Sequence, residues 1–162
     1  MENQGTMCGD IIMAFDECPP GGSEYNYAKT SMELTHRWLD RCFNRFNETK
    51  DKYGYTQNLF PIVQGGIHHN LRKISCEYIA SMSANGNAIG GLSVGAHTEK
   101  MYEICELCCD NLPVDTPRYL MGVGTAWHIL NIISVGREMV SCWVPNRMGS
   151  NCVLLYSRWL IN

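Results

Sequence analysis

Two polar side chains close apolar runs in this sequence. Asp16 ends Asp10-Ile-Ile-Met-Ala-Phe-Asp16, and Gln64 ends Leu59-Phe-Pro-Ile-Val-Gln64, which runs on into Gly65 and Gly66. Together they suit the edge of a purine. A carboxylate accepts hydrogen bonds from a ring N–H and an amino group, and an amide donates to a carbonyl oxygen. Gly91 and Leu92 follow a third apolar run and offer a backbone N–H and a carbonyl where a missing Cβ lets a ligand close in. Met121 ends a fourth run with a thioether able to pack on a ring face. These are the parts of a guanine pocket. Glycine-rich strand ends also serve sugar phosphates and other polar metabolites, and the residues alone leave that alternative open.

The elements that would carry these residues alternate. Apolar runs read as buried strands over 10–16, 59–63, 88–95, 117–124 and 138–145. Helical spacing predicts helices from about Tyr27 to Phe46, His68 to Met82, Thr98 to Leu112 and Ala126 to Ser134. On the first, Met32, Thr35, Trp38, Leu39, Cys42, Phe43 and Phe46 form the apolar stripe, which leaves His36, Arg37, Asp40, Arg41 and Arg45 to a solvated face. On the second, Leu71, Ile74, Cys76, Tyr78 and Ile79 face inward. On the third, Thr98 is placed to cap, and Tyr102, Ile104, Cys105, Leu107 and Cys108 fill the apolar side. Residues 47–57 and 83–87 read as loops, Asn146 to Gly149 as a turn, and Val153 to Ile161 as a final strand or hairpin arm.

Strands and helices alternating in this way predict a parallel α/β fold. Its strands would end in Asp16, Gln64, Gly90-Gly91, Met121-Gly122 and Ser141, and polar or glycine-rich ends on consecutive strands make a site argument. About five strands and four helices fall short of the eight strands and about 250 residues of a closed (β/α)8 barrel, so a partial TIM barrel is expected.

Composition narrows the field. With 162 residues, 45% hydrophobic and 18% charged, the chain can bury a core as one domain. No apolar run approaches the roughly 20 residues that span a bilayer. The start, Met1 to Cys8, lacks the basic end and apolar core of a signal peptide. Nine cysteines, several within helical apolar patterns, read as the reduced thiols of a cytoplasmic protein. A net charge of -3 excludes a general nucleic-acid-coating protein, so any such contact is local. His68 and His69 are adjacent, point apart on a helix and cannot chelate as an i,i+4 pair does. Cys105, Cys108 and Cys109 have no second ligand cluster and read as buried helical thiols. No metal is expected in this chain.

Five motifs then occur in order: Met13-Ala-Phe-Asp16-Glu17-Cys18-x-Pro20, Tyr27-Ala-Lys-x-Ser31-Met32-x-x-Thr35-x-Arg37-Trp38, Ile62-Val-Gln64-Gly65-Gly66, Ile89-Gly90-Gly91-Leu92-Ser93-x-Gly95 and Tyr119-Leu-Met121-Gly122-Val123-Gly124-Thr125. They closely resemble the tRNA-guanine transglycosylase family, also called queuine tRNA-ribosyltransferase, from about Gly9 to Gly136 and more weakly to Asn162. The resemblance implies a TIM barrel with an appended zinc-binding region. It implies exchange of guanine at the tRNA wobble position for a 7-deazaguanine by double displacement: a carboxylate attacks ribose C1′, guanine leaves, and the new base displaces the enzyme. Carried over by motif, Asp16 and Gln64 hold the guanine edge, Gly91 gives its N–H, Leu92 its carbonyl and Met121 a stacking surface. Gly122, Val123, Gly124 and Thr125, on to His128, match a segment that touches RNA. Asn146 and Arg147, on to Ser150, match one that reads the anticodon. The implied partners are tRNA and the free base, the implied assembly a homo-oligomer, with no membrane.

The chain departs from the family pattern at named positions. Ser141 stands where the nucleophilic Asp belongs, Ala96 replaces a Glu, and Ala126 and Trp127 replace a Pro and a polar residue. The family's other catalytic Asp and an aromatic stacking partner would precede Met1, and its three-Cys-plus-His zinc site would follow Asn162. Residues 1–162 are therefore expected to form an incomplete transglycosylase barrel domain whose open strand edges recruit other chains. Glu138, three residues before Ser141 on a strand, would face the other way and leave the hydroxyl without a base, so negligible base exchange is expected. A non-catalytic homologue that binds base, tRNA or a catalytic subunit, and an unrelated metabolic barrel, are the competing readings.

Overall fold

The computed structural model describes the chain apart from residues 1, 50–52, 94–96, 135–137, 143, 152–153, 156–159 and 162. A short helix α1 (Glu2–Thr6), not foreseen in the sequence, opens it. Then come β1 (Ile11–Met13), α2 (Tyr25–Glu48), β2 (Asn58–Phe60), β3 (Ile62–Val63), α3 (His69–Ala80), β4 (Asn87–Ile89), α4 (Thr98–Asn111), β5 (Arg118–Leu120), α5 (Ala126–Ser134), β6 (Met139–Val140) and α6 (Val144–Ser150). Within the stretch expected to form a final strand or hairpin arm, β7 (Leu154–Leu155) pairs antiparallel with β8 (Leu160–Ile161). β1 pairs parallel with β2, and β3, β4, β5 and β6 form a parallel sheet in chain order. Strands laid down in sequence with a helix between each pair are the repeat of a (β/α) barrel.

The strand expected over 59–63 is divided at Pro61, because a proline has no N–H to give a ladder. Before it, Phe60 lies opposite Met13 of β1, and the Ala14 N–H donates to Phe60 O at 2.9 Å. After it, β3 pairs with β4, and the Ala88 N–H donates to Pro61 O at 2.8 Å. One extended segment thus serves two neighbours in turn and brings the ends of β1 and β4 to either side of Gln64.

Other boundaries also differ from expectation. The strand expected over 88–95 ends at Ile89, since Gly91 has φ +75°, which a strand cannot hold. Val94, Gly95 and Ala96 lie outside the described residues. The strand expected over 138–145 keeps two residues. Pro145 enters the first turn of α6, where no N–H is required, so Asn146 to Gly149 are helical rather than a turn. α4 is preceded by His97, whose side chain makes no capping bond, and Thr98 is already helical.

The core lies between sheet and helices. Ile12, Leu59, Val63, Ile89 and Leu120 from the strands meet Leu39 and Cys42 of α2, Ile79 of α3 and Ile104 of α4. Two helix assignments are corrected here. His36 is buried rather than solvated, because α3 crosses α2 there and Tyr78 stacks on its ring at 4.2 Å. Ile74 is 48% exposed, and Arg72 and Ser75 take the inward positions instead.

Candidate functional site

Asp16 follows β1 and Gln64 follows β3, and the two meet: Gln64 Nε2 donates to Asp16 Oδ2 at 2.7 Å. Gln64 is fully buried and Asp16 half-buried. Burial pushes the Asp16 carboxyl above the usual carboxylate range, and the Glu17 charge adds to this against the Gln64 hydrogen bond and a backbone one. The glycines after β4 prove to make room for the amide itself. A Cβ on Gly90 would stand 2.8 Å from Gln64 Nε2, and one on Gly91 2.6 Å from Gln64 Oε1. That Oε1 is buried without a hydrogen bond of ordinary length, and the Cys18 thiol comes near the amide.

Four residues of the helix layer, Arg72, Ser75, Thr35 and Ser31, hold this arrangement, and none was foreseen as a support. Arg72 is fully buried, and its guanidinium donates from Nε to Gly66 O at 2.8 Å, from Nη1 to Val63 O at 2.9 Å and from Nη2 to Gly90 O at 2.9 Å. Desolvation lowers its pKa from that of a free guanidinium. The Ser75 hydroxyl accepts the Gln64 backbone N–H at 3.2 Å and lies 3.0 Å from His36 Nε2. α2 also grips the loop beyond Asp16: Thr35 Oγ1 accepts the Glu17 N–H at 3.0 Å, and Ser31 Oγ donates to Glu17 O at 3.2 Å. The signal for Arg72 and Ser75 was present in the sequence. Residues 72, 75, 76 and 79 recur at i, i+3, i+4 and i+7, so two polar residues share a stripe with Cys76 and Ile79.

The later strand ends carry the other expected residues. Leu92 is buried and Met121 half-buried, with the Met121 N–H donating to Ile89 O at 3.1 Å. Gly122 has φ +74°, and a Cβ there would meet Ser93 Oγ at 2.6 Å. The Val123 side chain belongs to the core, so only its backbone is left to face a ligand. Gly124 packs so closely on Cys142 that a Cβ would lie 2.4 Å from that residue's own Cβ. Thr125 Oγ1 accepts the His128 N–H at 3.3 Å and caps α5. Asn146 and Arg147 are exposed on α6. Ser141 Oγ lies 2.5 Å from the Tyr119 hydroxyl and accepts the Gly122 N–H at 3.4 Å. Tyr119 is a neighbour that sequence reasoning missed. Glu138 is engaged by Arg118, through Nη2 at 2.6 Å and the backbone N–H at 2.9 Å, and does not bond Ser141.

The histidine pair diverges as its adjacency required. His68 Nε2 lies 3.1 Å from Ser23 O, and His69 Nε2 lies 2.5 Å from Glu103 Oε1. Cys105, Cys108 and Cys109 are buried on α4. Among the described residues no group of three or more His, Cys, Asp or Glu side chains is placed to hold a metal.

The Asp16–Gln64 pair can do donor–acceptor recognition. Gln64 Nε2 carries two N–H groups. One is spent on Asp16, and the second suits a carbonyl oxygen next to donors that meet the carboxylate. The family model described as "Queuine tRNA-ribosyltransferase" matches residues 1–162. A queuine tRNA-ribosyltransferase of Bacillus licheniformis is 44% identical over 157 residues, 97% of this chain and 40% of that protein. One of Pasteurella multocida is 40% identical over 161 residues, 99% of this chain and 41% of that protein. One of Ruminiclostridium cellulolyticum is 43% identical over 157 residues, 97% and 41% of the two chains. The chain thus spans about 40% of the length of these relatives.

Proposed function

This chain belongs to the queuine tRNA-ribosyltransferase family, and from that premise we propose that its strand ends form the base-recognition side of a tRNA-guanine exchange site. The reaction replaces guanine at the tRNA wobble position with a 7-deazaguanine by double displacement. The observation that carries this reading is the Gln64–Asp16 hydrogen bond between two strand ends, with Gly90 and Gly91 shaped around the amide. Asp16 accepts the base's N–H and amino donors, and Gln64 donates to its carbonyl oxygen. Gly91 supplies an N–H, Leu92 a carbonyl and Met121 a ring-packing surface. Gly122 to Thr125 and the exposed Asn146 and Arg147 of α6 contact tRNA. A second reading, a homologue that binds base or tRNA without turnover, is favoured by one observation: among the described residues the hydrogen-bond partners of Ser141 Oγ are a phenol and an amide N–H rather than a base.

Asp16→Ala is expected to abolish guanine binding in equilibrium dialysis. It leaves the base's donors unpaired at a cost of roughly 1–3 kcal/mol or more. pH gives an independent check. Recognition needs the ionised carboxylate, since the protonated form donates where the base also donates. Because burial raises the Asp16 pKa, affinity falls on acidification sooner than it would for an exposed aspartate. Asp16→Asn should remove that pH dependence together with the affinity. Unchanged affinity in Asp16→Ala would end the purine reading.

Assembly, setting and metal belong to the same proposal. Trp127, Leu130 and Ile133 are 70%, 67% and 60% exposed and lie three residues apart along α5, an apolar face of the kind other copies cover. The chain is expected to self-associate, to bind no zinc through its own residues and to work in the reducing cytoplasm, where thiols such as that of Cys76 stay reduced. Sedimentation velocity and elemental analysis of one preparation test the first two. A sharp monomer at all concentrations, or one zinc per chain, would count against them.

A further inference from the structure

The Asp16–Gln64 pair touches the base in the reading above, but something must aim the amide. Gln64 follows a two-residue strand, and among the described residues its own backbone N–H bonds no carbonyl. It donates instead to Ser75 Oγ at 3.2 Å, across from α3. A hydroxyl that accepts there has one hydrogen left to place. His36 Nε2, 3.0 Å away on α2, is the acceptor the geometry offers. His36 is itself fixed. Its ring stacks on Tyr78 at 4.2 Å and 13°, and the Tyr78 hydroxyl donates to Asp40 Oδ1 at 2.5 Å. Burial lowers the His36 pKa against the opposing charges of Asp40 and Glu33, which suits an imidazole that accepts.

We propose that His36 is a positioning residue for base recognition: through the Ser75 hydroxyl it orients the Gln64 backbone, and so directs the Gln64 amide at the carbonyl oxygen of a bound guanine. The inference rests on the function proposed above. It explains why α2 carries Thr35 and His36 side by side. Thr35 holds the backbone after Asp16, and His36 holds the backbone of Gln64, so one helix sets both members of the pair.

The test uses the whole chain and two probes, guanine and 6-thioguanine. The probes differ only at the atom that Gln64 is proposed to meet, and sulfur is the poorer acceptor. Wild type should bind guanine more tightly. His36→Phe keeps an aromatic ring against Tyr78 but has no acceptor. It is expected to lower guanine affinity about fivefold while changing 6-thioguanine affinity little, so the preference shrinks. Ser75→Ala should do the same, and the double variant should be no worse than Ser75→Ala alone, because His36 acts through that hydroxyl. His36→Gln, whose amide oxygen can accept, should restore most of the preference. A merely structural role would lower the binding-competent fraction and weaken both probes equally. Wild-type binding of guanine with the preference intact in His36→Phe and Ser75→Ala would overturn this inference alone. Absence of guanine binding by wild type would overturn the proposed function and this inference with it.

Discussion

Arg72→Met is expected to destabilise the fold by about 4 kcal/mol. The side chain is fully buried, and its three donors fan out to Gly66 O, Val63 O and Gly90 O, carbonyls at the ends of β3 and β4. Val63 O keeps a second partner in the Gly90 N–H at 3.1 Å. Gly66 O and Gly90 O are then left buried without their guanidinium donors. Each orphaned group costs about 1–3 kcal/mol, and the poor fit of a methionine in the vacated fork adds to it. Methionine does relieve the desolvation of a buried cation, which offsets part of the loss. A net destabilisation of about 4 kcal/mol is a large share of the roughly 5–15 kcal/mol that holds a domain folded. Arg72→Lys retains the charge but replaces a planar five-donor fork with a single ammonium, so it should recover only part. Urea titration followed by far-UV circular dichroism measures both. A midpoint within experimental error of wild type for Arg72→Met would show that the strand ends hold themselves.

Arg72 also shows what could be read in the sequence and what could not. Asp16 and Gln64 were legible because a polar residue at the end of an apolar run is costly to bury without a purpose. The glycine pair was legible as a close approach, but the approaching group is the Gln64 amide, a neighbour 26 positions earlier in the chain. The alternation of strands and helices was legible from periodicity. The division at Pro61 was not, because periodicity shows which way side chains point and is silent on which neighbour a strand pairs with. His36 was misjudged because a titratable residue beside an apolar stripe is usually solvated, and only the crossing of α3 over α2, a tertiary event, buries it. Tyr119 escaped notice because nothing local links a β5 phenol to a hydroxyl 22 positions later.

Ser141→Asp is expected to raise base exchange by orders of magnitude when the chain is supplied with the segments by which its relatives exceed it. A carboxylate nucleophile is ionised at neutral pH, its unperturbed pKa being about 4. It can stabilise positive charge at ribose C1′ before bonding to that carbon, while the C1′–N9 bond breaks and guanine leaves with the bonding pair and gains a proton. A serine hydroxyl is neutral and needs a base within hydrogen-bond reach. Among the described residues, the groups that bond Ser141 Oγ do not supply one. The Gly122 N–H donates to it, and the Tyr119 hydroxyl donates to it at 2.5 Å. Glu138 faces away. Partial burial would raise its pKa, but the Arg118 side chain and backbone N–H outweigh that and hold it below the usual carboxylate range, committed to the ion pair. Asp16 is bonded to Gln64. The same neighbours that fail a serine favour an aspartate, because a phenol O–H and a backbone N–H both donate to a carboxylate and stabilise its charged form. Incorporation of labelled guanine into tRNA measures the exchange, and a denaturation-resistant tRNA adduct should form only with Ser141→Asp. Equal exchange by the Ser141 and Asp forms would show that the nucleophile is some other residue and that position 141 does not carry the chemistry.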